Sequence, residues 1–522
     1  MKKLIYMPLL ALLYILPVHA QNTFKATLKD FDTKEPLIGA TAIIKGTTQG
    51  SNADVNGNIE IQGVPDGKQV LVFSYIGYEQ KEDTFSFPLT ISQPIELFLK
   101  ISAGDLEEVI IEGTRSNKSI ADIPTRVEVL TEEIDEASTM DPSKVAHLLT
   151  HSTGIQVQQT SATSNTANVR IQGLDGRYTQ ILKDGFPIYG GFSGSLSIMQ
   201  IPPLDLRQIE YIKGSASTLY GAGAISGLIN LISKEPQNEE TLFHLNGSHF
   251  GAFDVNAFLS RKIDKIGFTL LAQRNTHRYF DADKDGFTDL PQLTKYNLNP
   301  KLFFYFSDKT KLSIGSTLTN ETREGGDIHL LNHQLPDSNH FYKEANDISR
   351  VTTQVKLDHK ISERSALSLK NSFNIFHRGL QITPVYTVGE YRFAGEQLSS
   401  FSELAYTLRK KENVLITGMN FYTDQFKEEP LQSSILRNEE YQTVGGFANY
   451  TFDIGQKISI ESGLRSDYVL NEKLYVLPRL FALFKWSGKL STRIGGGLGY
   501  RNASIFNQEA ELLGYRNVLP IN

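Results

Sequence analysis

Arg207-Gln-Ile-Glu-Tyr-Ile-Lys-Gly-Ser-Ala-Ser-Thr-Leu-Tyr-Gly-Ala-Gly-Ala-Ile-Ser-Gly-Leu-Ile-Asn-Leu-Ile-Ser-Lys234 is the stretch on which the reading of this chain turns. Two short apolar runs, Ile209–Ile212 and Leu228–Ile232, have the length and branched-residue content of strands. The segment between them is dominated by Gly, Ala and Ser. Small residues let backbones approach closely and turn sharply where a side chain would clash. Two strands joined by a tightly folded connection are expected here.

Downstream, from residue 237 to 522, the pattern has period two. Val351, Thr353, Val355 and Leu357 alternate with Thr352, Gln354, Lys356 and Asp358. Leu367, Leu369, Phe373 and Ile375 alternate with Ser368, Lys370, Ser372 and Asn374, and Ile458, Ile460 and Leu464 with Ser459, Glu461 and Arg465. One lipid-like face and one polar face on each strand is the signature of a transmembrane barrel. Tight turns at 263–265, 307–309, 362–365, 410–413, 454–456 and 487–489 alternate with long polar loops near 280–294, 325–348, 380–392 and 428–438. Roughly thirteen strands fit.

Upstream lie two further patterns. Residues 21–100 read as a small β-sandwich, with strands expected at Phe24–Leu28, Thr41–Ile44, Ile59–Ile61, Val70–Tyr75 and Ile95–Leu99, between turn signals such as Asn56-Gly57 and Pro65-Asp66-Gly67. Residues 116–236 combine strands with a short helix over 141–149, Asp141 as its N-cap and Pro142 in its first turn. Residues 101–115 connect the two. Residues 1–20 read as a secretory signal: Lys2 and Lys3, an apolar run from Leu4 to Val18, and Val18-His19-Ala20 at the cleavage site. The competing reading is a membrane anchor, against which stand the short run, Pro8 and Pro17.

Composition sets limits. The 522 residues carry a net charge of −6, which offers nucleic acid no electrostatic footing. There is no cysteine, so disulfides and thiolate metal sites are excluded. The eleven His show no zinc-protease spacing, and no nucleophilic triad, phosphate loop or dinucleotide fingerprint is present. An enzyme is not expected.

The quoted stretch resembles the last part of the plug domain of TonB-dependent outer-membrane receptors, with Lys213 and Ser215 where the family more often has Arg and Pro. Arg170-Ile-Gln-Gly-Leu174 and Leu182-Lys-Asp-Gly-Phe-Pro187 are similar to other plug strands of that family. The N-terminal pattern Pro36-Leu-Ile-Gly-Ala-Thr41, Asp54-Val-Asn-Gly-Asn-Ile59, Val64-Pro-Asp-Gly67 and Phe73-Ser-Tyr-Ile-Gly-Tyr78 resembles the carboxypeptidase-regulatory-like domain of Bacteroidetes-type receptors. That segment contains no His and no metal-ligand spacing, so a non-catalytic module is expected. The resemblance implies an all-β-dominated chain: a β-sandwich, an α+β plug and a partial antiparallel transmembrane barrel, 22-stranded when complete.

Closure supports a larger barrel. Thirteen strands about 4.8 Å apart and tilted about 40° close to a ring only about 26 Å across. A compact plug of this length is about 35 Å in diameter, whereas 22 strands give about 44 Å. A chain missing about nine strands at its C-terminal end is therefore expected.

The resemblance further implies a protein of the cell outer membrane, with outer-membrane lipid around its strands, that takes up a scarce, bulky ligand, a ferric siderophore first, then cobalamin or haem, driven by a TonB–ExbB–ExbD energy-coupling complex. Asp105, Leu106, Glu107, Glu108, Val109, Ile110 and Ile111 are similar to the TonB box, an extended peptide that can add to a partner's sheet edge; an ordinary edge strand and linker is the other reading. The loops 158–168 and 189–199 would form the plug apex, and Gln159, Tyr189, Phe192 and Met199 are candidate ligand contacts if those loops are not passive turns. Asp281, Asp283, Asp285 and Asp289, with Gly286, match the front half of a calcium loop, although Gln292 stands where a bidentate Glu is usual. They equally suit a solvated acidic loop, so calcium is a structural option and no cofactor is required. A passive porin-like channel and a non-transporting surface receptor or adhesin are the alternative functions.

Overall fold

The computed structural model describes residues 22–521 apart from 32, 48, 76–77, 79, 90–93, 101–110, 117, 132, 135–142, 162, 189–191, 193, 238, 384–388, 433–434 and 488–489. The expected signal segment and the expected helix cap at Asp141 and Pro142 lie outside the described residues. The chain forms two compact units, residues 1–109 and 110–522.

In the first unit a three-stranded sheet is built from Asn22–Asp30, flanked by Asn58–Val64 (antiparallel) and Ile95–Leu99 (parallel). A four-stranded sheet runs Gly50–Asn52, Thr41–Ile44, Gly67–Ser74, Lys81–Phe87. Phe24, Leu28, Ile44, Ile59, Ile61, Leu71 and Phe73 share one buried cluster, fed by alternate positions of these strands. The Asn56-Gly57 turn works because Gly57 sits at φ +79°, and a Cβ there would lie 2.5 Å from the Leu28 carbonyl oxygen. Two edge strands escape the sequence reading. Lys81–Phe87 opens Lys-Glu-Asp, and charge on a sheet edge blunts the hydrophobic alternation that announces a strand.

In the second unit, Gly227–Ser233 is the centre of a five-stranded mixed sheet and is buried at every position. It pairs parallel with Thr179–Lys183 and antiparallel with Leu206–Lys213, so the two apolar runs of the deciding stretch are neighbours, Ile209 opposite Leu231 and Tyr211 opposite Ile229. Both faces of a central strand are covered here, which explains why Gly-Leu-Ile-Asn-Leu-Ile-Ser reads as a nearly continuous apolar run. Gly227 is obligatory at its end: a Cβ would meet the Ile212 carbonyl oxygen at 2.3 Å. A hairpin of Ile155–Ser161 and Thr166–Ile171 stands beside this sheet, and Ala146–Leu149 forms a single helical turn.

The remaining strands form one antiparallel sheet of thirteen, from Glu240–Gly247 to Leu490–Gly497, each paired with the next in sequence. Its end strands do not pair with one another among the described residues. The amphipathy is inverted relative to a soluble sheet. Phe243, Leu245, Leu302, Leu369, Phe373, Leu404, Met419, Leu464 and Leu480 are exposed, whereas Asn275, Lys295, Glu321, Arg378, Glu403, Glu461 and Arg479 are buried. An apolar surface of that extent facing water would drive aggregation; facing lipid it is the stable arrangement. No helix among the described residues is long and apolar enough to cross a membrane. Strands of up to 20 residues exceed the 9–11 needed to span a bilayer, so their ends project beyond it.

The mixed-sheet domain lies against the polar, inward face of this wall. Arg115 meets Glu403 at 2.8 Å, Lys118 meets Asp453 at 3.0 Å, Lys301 meets Asp184 at 2.5 Å, and Arg350 donates to Ser197 Oγ at 3.1 Å. Wall residues buried in this way explain their own polarity: they face a protein stopper rather than an empty lumen.

Candidate functional site

The two ends of the plug do different things. At one end its leading segment meets the wall beside the short turns. Lys118 reaches Asp453, next to the tight turn at 455–457, and Arg493 donates to the Ile120 and Ile123 carbonyls at 3.0 Å each. Lys485 pairs with Asp122 nearby.

At the other end a cavity of about 240 Å³ opens between plug and wall. The plug contributes Asn168, Asp175, Arg177 and Gln180; the wall contributes Gln397, Tyr422, Asp424, Glu439, Tyr441 and Asp467. Tyr422 and Asp424 end the strand that enters the loop at 429–438, and Glu439 and Tyr441 start the strand that leaves it. The cavity therefore sits at the long-loop end. Tyr500, Arg501 and Glu511 complete it from the segment after the last strand, with Tyr500 stacked on Tyr475 at 3.8 Å.

Its floor is tied to the deciding stretch. Gly221 lines the cavity at φ +74°, and a Cβ there would lie 2.8 Å from Arg465 Nη2. Arg465 is held by Asp467 at 2.7 Å and donates to Asn420 Oδ1 at 2.9 Å. Below it, Arg479 pairs with Glu461 and donates to the Ser215 carbonyl at 2.7 Å, while Thr125 donates to Glu461 Oε2 at 2.6 Å. Two buried polar groups on the wall thus stand against the deciding stretch, one at Gly221 and one at Ser215.

The candidate contacts fare differently. Tyr189 lies outside the described residues. Phe192 is 1 % exposed and enclosed by Phe376, Phe393, Phe426, Phe506 and Tyr515, so it fastens the apex to the wall rather than lining the cavity. Met199 is 4 % exposed in the plug core, and its carbonyl accepts Lys295 Nζ at 3.1 Å. Both side chains point into apolar clusters because burial of a large apolar surface outweighs presenting it to solvent. Gln159 is exposed, bonded to Asn165 Oδ1 at 3.3 Å, and also outside the cavity lining. Of the candidate coupling peptide, Asp105 to Ile110 lie outside the described residues; Ile111 is fully buried against Ile123, Leu182, Ile212 and Leu228.

In the acidic turn, Asp281, Asp283 and Asp285 bring carboxylate oxygens within 4.8 Å of one another. Asp289 is not in that group; its carboxylate accepts the Ala282 amide at 2.7 Å. Asp281 and Asp285 likewise accept turn amides, from Lys284, Gly286 and Phe287.

Sequence reading missed three features: the plug–wall ion pairs, the buried Glu210, and a group formed by His329, Asp337 and His340. The first two join residues far apart in sequence. The third has a faint local signal, two His and an Asp within twelve positions of one long loop.

A mixed-sheet domain seated on the polar face of an inside-out antiparallel sheet is the arrangement of a plugged, partial β-barrel. The comparisons agree. Residues 119–228 match the TonB-dependent Receptor Plug Domain and residues 26–111 the CarboxypepD_reg-like domain. The TonB-dependent receptor SusC of Bacteroides thetaiotaomicron is 28 % identical over 230 residues, 42 % of this chain and 21 % of SusC. The vitamin B12 transporter BtuB of Photobacterium profundum is 22 % identical over 348 residues, 65 % of this chain and 55 % of that protein. Among solved structures, the ferric enterobactin receptor PfeA of Pseudomonas aeruginosa aligns with TM-score 0.59 at 13 % identity, covering 76 % of this chain and 64 % of PfeA. The siderophore receptor PirA of Acinetobacter baumannii gives 0.57 at 16 % identity, covering 72 % and 61 %.

The chain joins a TonB-dependent receptor plug domain to an N-terminal CarboxypepD_reg-like domain, the domain pair of a Bacteroidetes-type TonB-dependent receptor. It spans about a fifth of SusC and about half of BtuB. The family is one of outer-membrane receptors and transporters, not of enzymes.

Proposed function

We propose that this protein takes up a bulky ligand across the outer membrane by an energy-coupled displacement of its plug. One observation carries the reading: the segment that follows the candidate coupling peptide is bonded to the cavity lining, the Gly113 carbonyl accepting from the Tyr220 hydroxyl at 2.8 Å. Ligand contacts at Asp175, Arg177 and Gln180 would load the plug from the cavity, and the peptide before Ile111 is where a coupling partner would act on it. A coupling complex of the TonB–ExbB–ExbD kind would grip that peptide by adding it to a sheet edge. Energy must come from the inner membrane, where each charge moved is worth about 2.3 kcal/mol per 100 mV.

The cavity also bears on ligand class. Its charged lining residues are five acids (Asp175, Asp424, Glu439, Asp467, Glu511) and three arginines (Arg177, Arg465, Arg501). A multiply anionic ferric siderophore would meet net repulsion there, since like charges in a partly desolvated site repel strongly. Tyrosines and amides instead offer apolar faces with hydrogen-bonding tips, suited to a neutral, polar ligand. We therefore rank a neutral ligand, of which cobalamin is one, ahead of a ferric siderophore.

The test is growth and uptake. A strain lacking this protein is supplied with defined iron chelates, cobalamin and neutral oligosaccharides, then complemented. Loss of uptake of one neutral ligand, restored by the gene and abolished by a protonophore, is expected. Uptake that persists with the protonophore would identify a passive channel. Ligand binding without any energised uptake would identify a surface receptor.

A further inference from the structure

We propose that His329, Asp337 and His340 form a binding site for a divalent transition metal, zinc being the best fit, that pins the loop at 327–342 to itself at the mouth of the barrel. This loop joins the strands Thr310–Gly326 and Lys343–Ser362 at the same end as the ligand cavity. One nitrogen of each imidazole and one oxygen of the carboxylate come within 4.8 Å of one another.

The donor set points to the ion. Two imidazoles and one carboxylate suit zinc, and after it copper and nickel; calcium and magnesium call for oxygen alone. Three protein ligands leave the fourth tetrahedral position open for water or an incoming group. The spacing is also close. Two ligands of one tetrahedral zinc, each about 2.0 Å from it, stand about 3.3 Å apart. His340 Nδ1 lies 3.0 and 3.1 Å from the two Asp337 oxygens, so a metal can take the place of the proton they share with little movement.

The rest of the loop holds these groups in place. Asp337 accepts the backbone amides of Asn339 and His340 at 2.8 and 2.9 Å, which orients the carboxylate towards the ring. Asp327 caps the short turn Ile328–Leu331 by accepting the His329 amide at 2.9 Å. His329 Nε2 lies 2.9 Å from the Leu335 carbonyl oxygen; donating there fixes the tautomer and leaves Nδ1 with its lone pair. A ligating imidazole whose other nitrogen donates to a carbonyl is the usual outer arrangement of a metal histidine. The two rings lie nearly parallel, 16° apart with centroids 4.5 Å apart, so one of them turns about its Cβ–Cγ bond to bring its in-plane lone pair onto an ion shared with the other.

The loop does not stand alone. Ile328 donates its amide to the Gly286 carbonyl at 3.0 Å, and Gly326 donates to Thr288 Oγ1 at 2.8 Å. A metal that closes the His329–His340 loop therefore stiffens the neighbouring turn at 281–289 as well. This inference is independent of which ligand the cavity takes, and of whether transport is energised.

The test uses the full chain in detergent micelles, stripped with a chelator and titrated calorimetrically with zinc alone. Cobalt serves as a second probe, because bound tetrahedral cobalt has visible absorption. One zinc per chain is expected. His329→Ala and His340→Ala should each weaken it more than the roughly 10–100-fold that outer-shell changes cost. His333→Asn is the control: His333 lies in the same loop but outside the group, and asparagine tolerates its φ of +59°. All three residues are partly exposed, so folding is retained, and circular dichroism of each variant checks that. Wild-type protein that binds no zinc would overturn the proposal. So would unchanged binding by the two alanine variants, or equal loss in His333→Asn, which would mean diffuse surface histidines.

Discussion

Gly113 donates its backbone N–H to Oε2 of Glu210 at 2.7 Å across 97 positions of sequence. Its neighbour Glu112 donates to Oε1 at the same distance. Glu210 is fully buried and also accepts Gln208 Nε2 at 2.7 Å and Asn230 Nδ2 at 3.1 Å. One carboxylate in the deciding stretch thus holds the backbone that follows the candidate coupling peptide, and four donors surround its two oxygens. A pull on residues before Ile111 reaches these bonds as soon as Ile111 leaves its cluster.

Removing that acceptor should loosen the tether. Glu210→Ala leaves buried amides unsatisfied at about 1–3 kcal/mol each, which corresponds to roughly 5- to 150-fold faster opening. Hydrogen exchange resolved to residues 112–113 should speed by that order, with the first unit, residues 22–100, unchanged. Equal exchange in variant and wild type would show that the carboxylate holds nothing.

Glu210 should also make stability depend on pH. Burial pushes its carboxyl up to about 7, against the amides of Glu112 and Asn230 that favour the charged form. The unfolded chain ionises the group near about 4.3. Between those values the folded state retains a proton the unfolded chain has lost. Its contribution is thus complete below about pH 4.3 and is lost as pH rises through about 7, at no more than about 1.4 kcal/mol per unit. Denaturation of wild type against the non-titrating Glu210→Gln at pH 5 and 8 checks the sign: the wild type should lose ground as pH rises.

The plug–wall pair Arg115–Glu403 offers a separate handle. Glu403 is almost wholly buried, and Arg115→Ala leaves it only the longer contact to Lys370 at 3.9 Å, so the change should cost up to about 3–5 kcal/mol. Glu403→Gln alone should cost less, and the double variant should recover part of the loss. Thermal unfolding in detergent and ion conductance in planar bilayers are the readouts. Additive losses in the double variant would mean the two groups do not depend on each other.

Deleting residues 105–110 should abolish energised uptake and leave ligand affinity within about twofold, since the buried Ile111 and the bonds of residues 112–113 to Glu210 are kept and hold the plug as before. Normal uptake by the deletion would remove the coupling role from that peptide.

Much of this architecture was legible in the chain itself. Period-two alternation from Val351 to Leu357 and from Leu367 to Ile375 shows both that those segments are strands and that their apolar face looks outward, because lipid on one side and protein on the other impose the same two-residue period along each strand. The small-residue run between Ile212 and Leu228 announced a tight connection, because only glycine fits where Gly227 meets the Ile212 carbonyl. Long-range partnership was another matter. Nothing local in Phe192 distinguishes a ligand contact from an anchor; its enclosure comes from Phe376, Phe393 and Phe426 on three distant strands and from Phe506 and Tyr515 after the last strand. Glu210 reads as one acid in a strand, and only the return of residues 112–113 to its side turns it into a tether. Strand identity follows from neighbours two residues apart, whereas the burial and protonation of a side chain are properties of groups that meet only when the plug is seated.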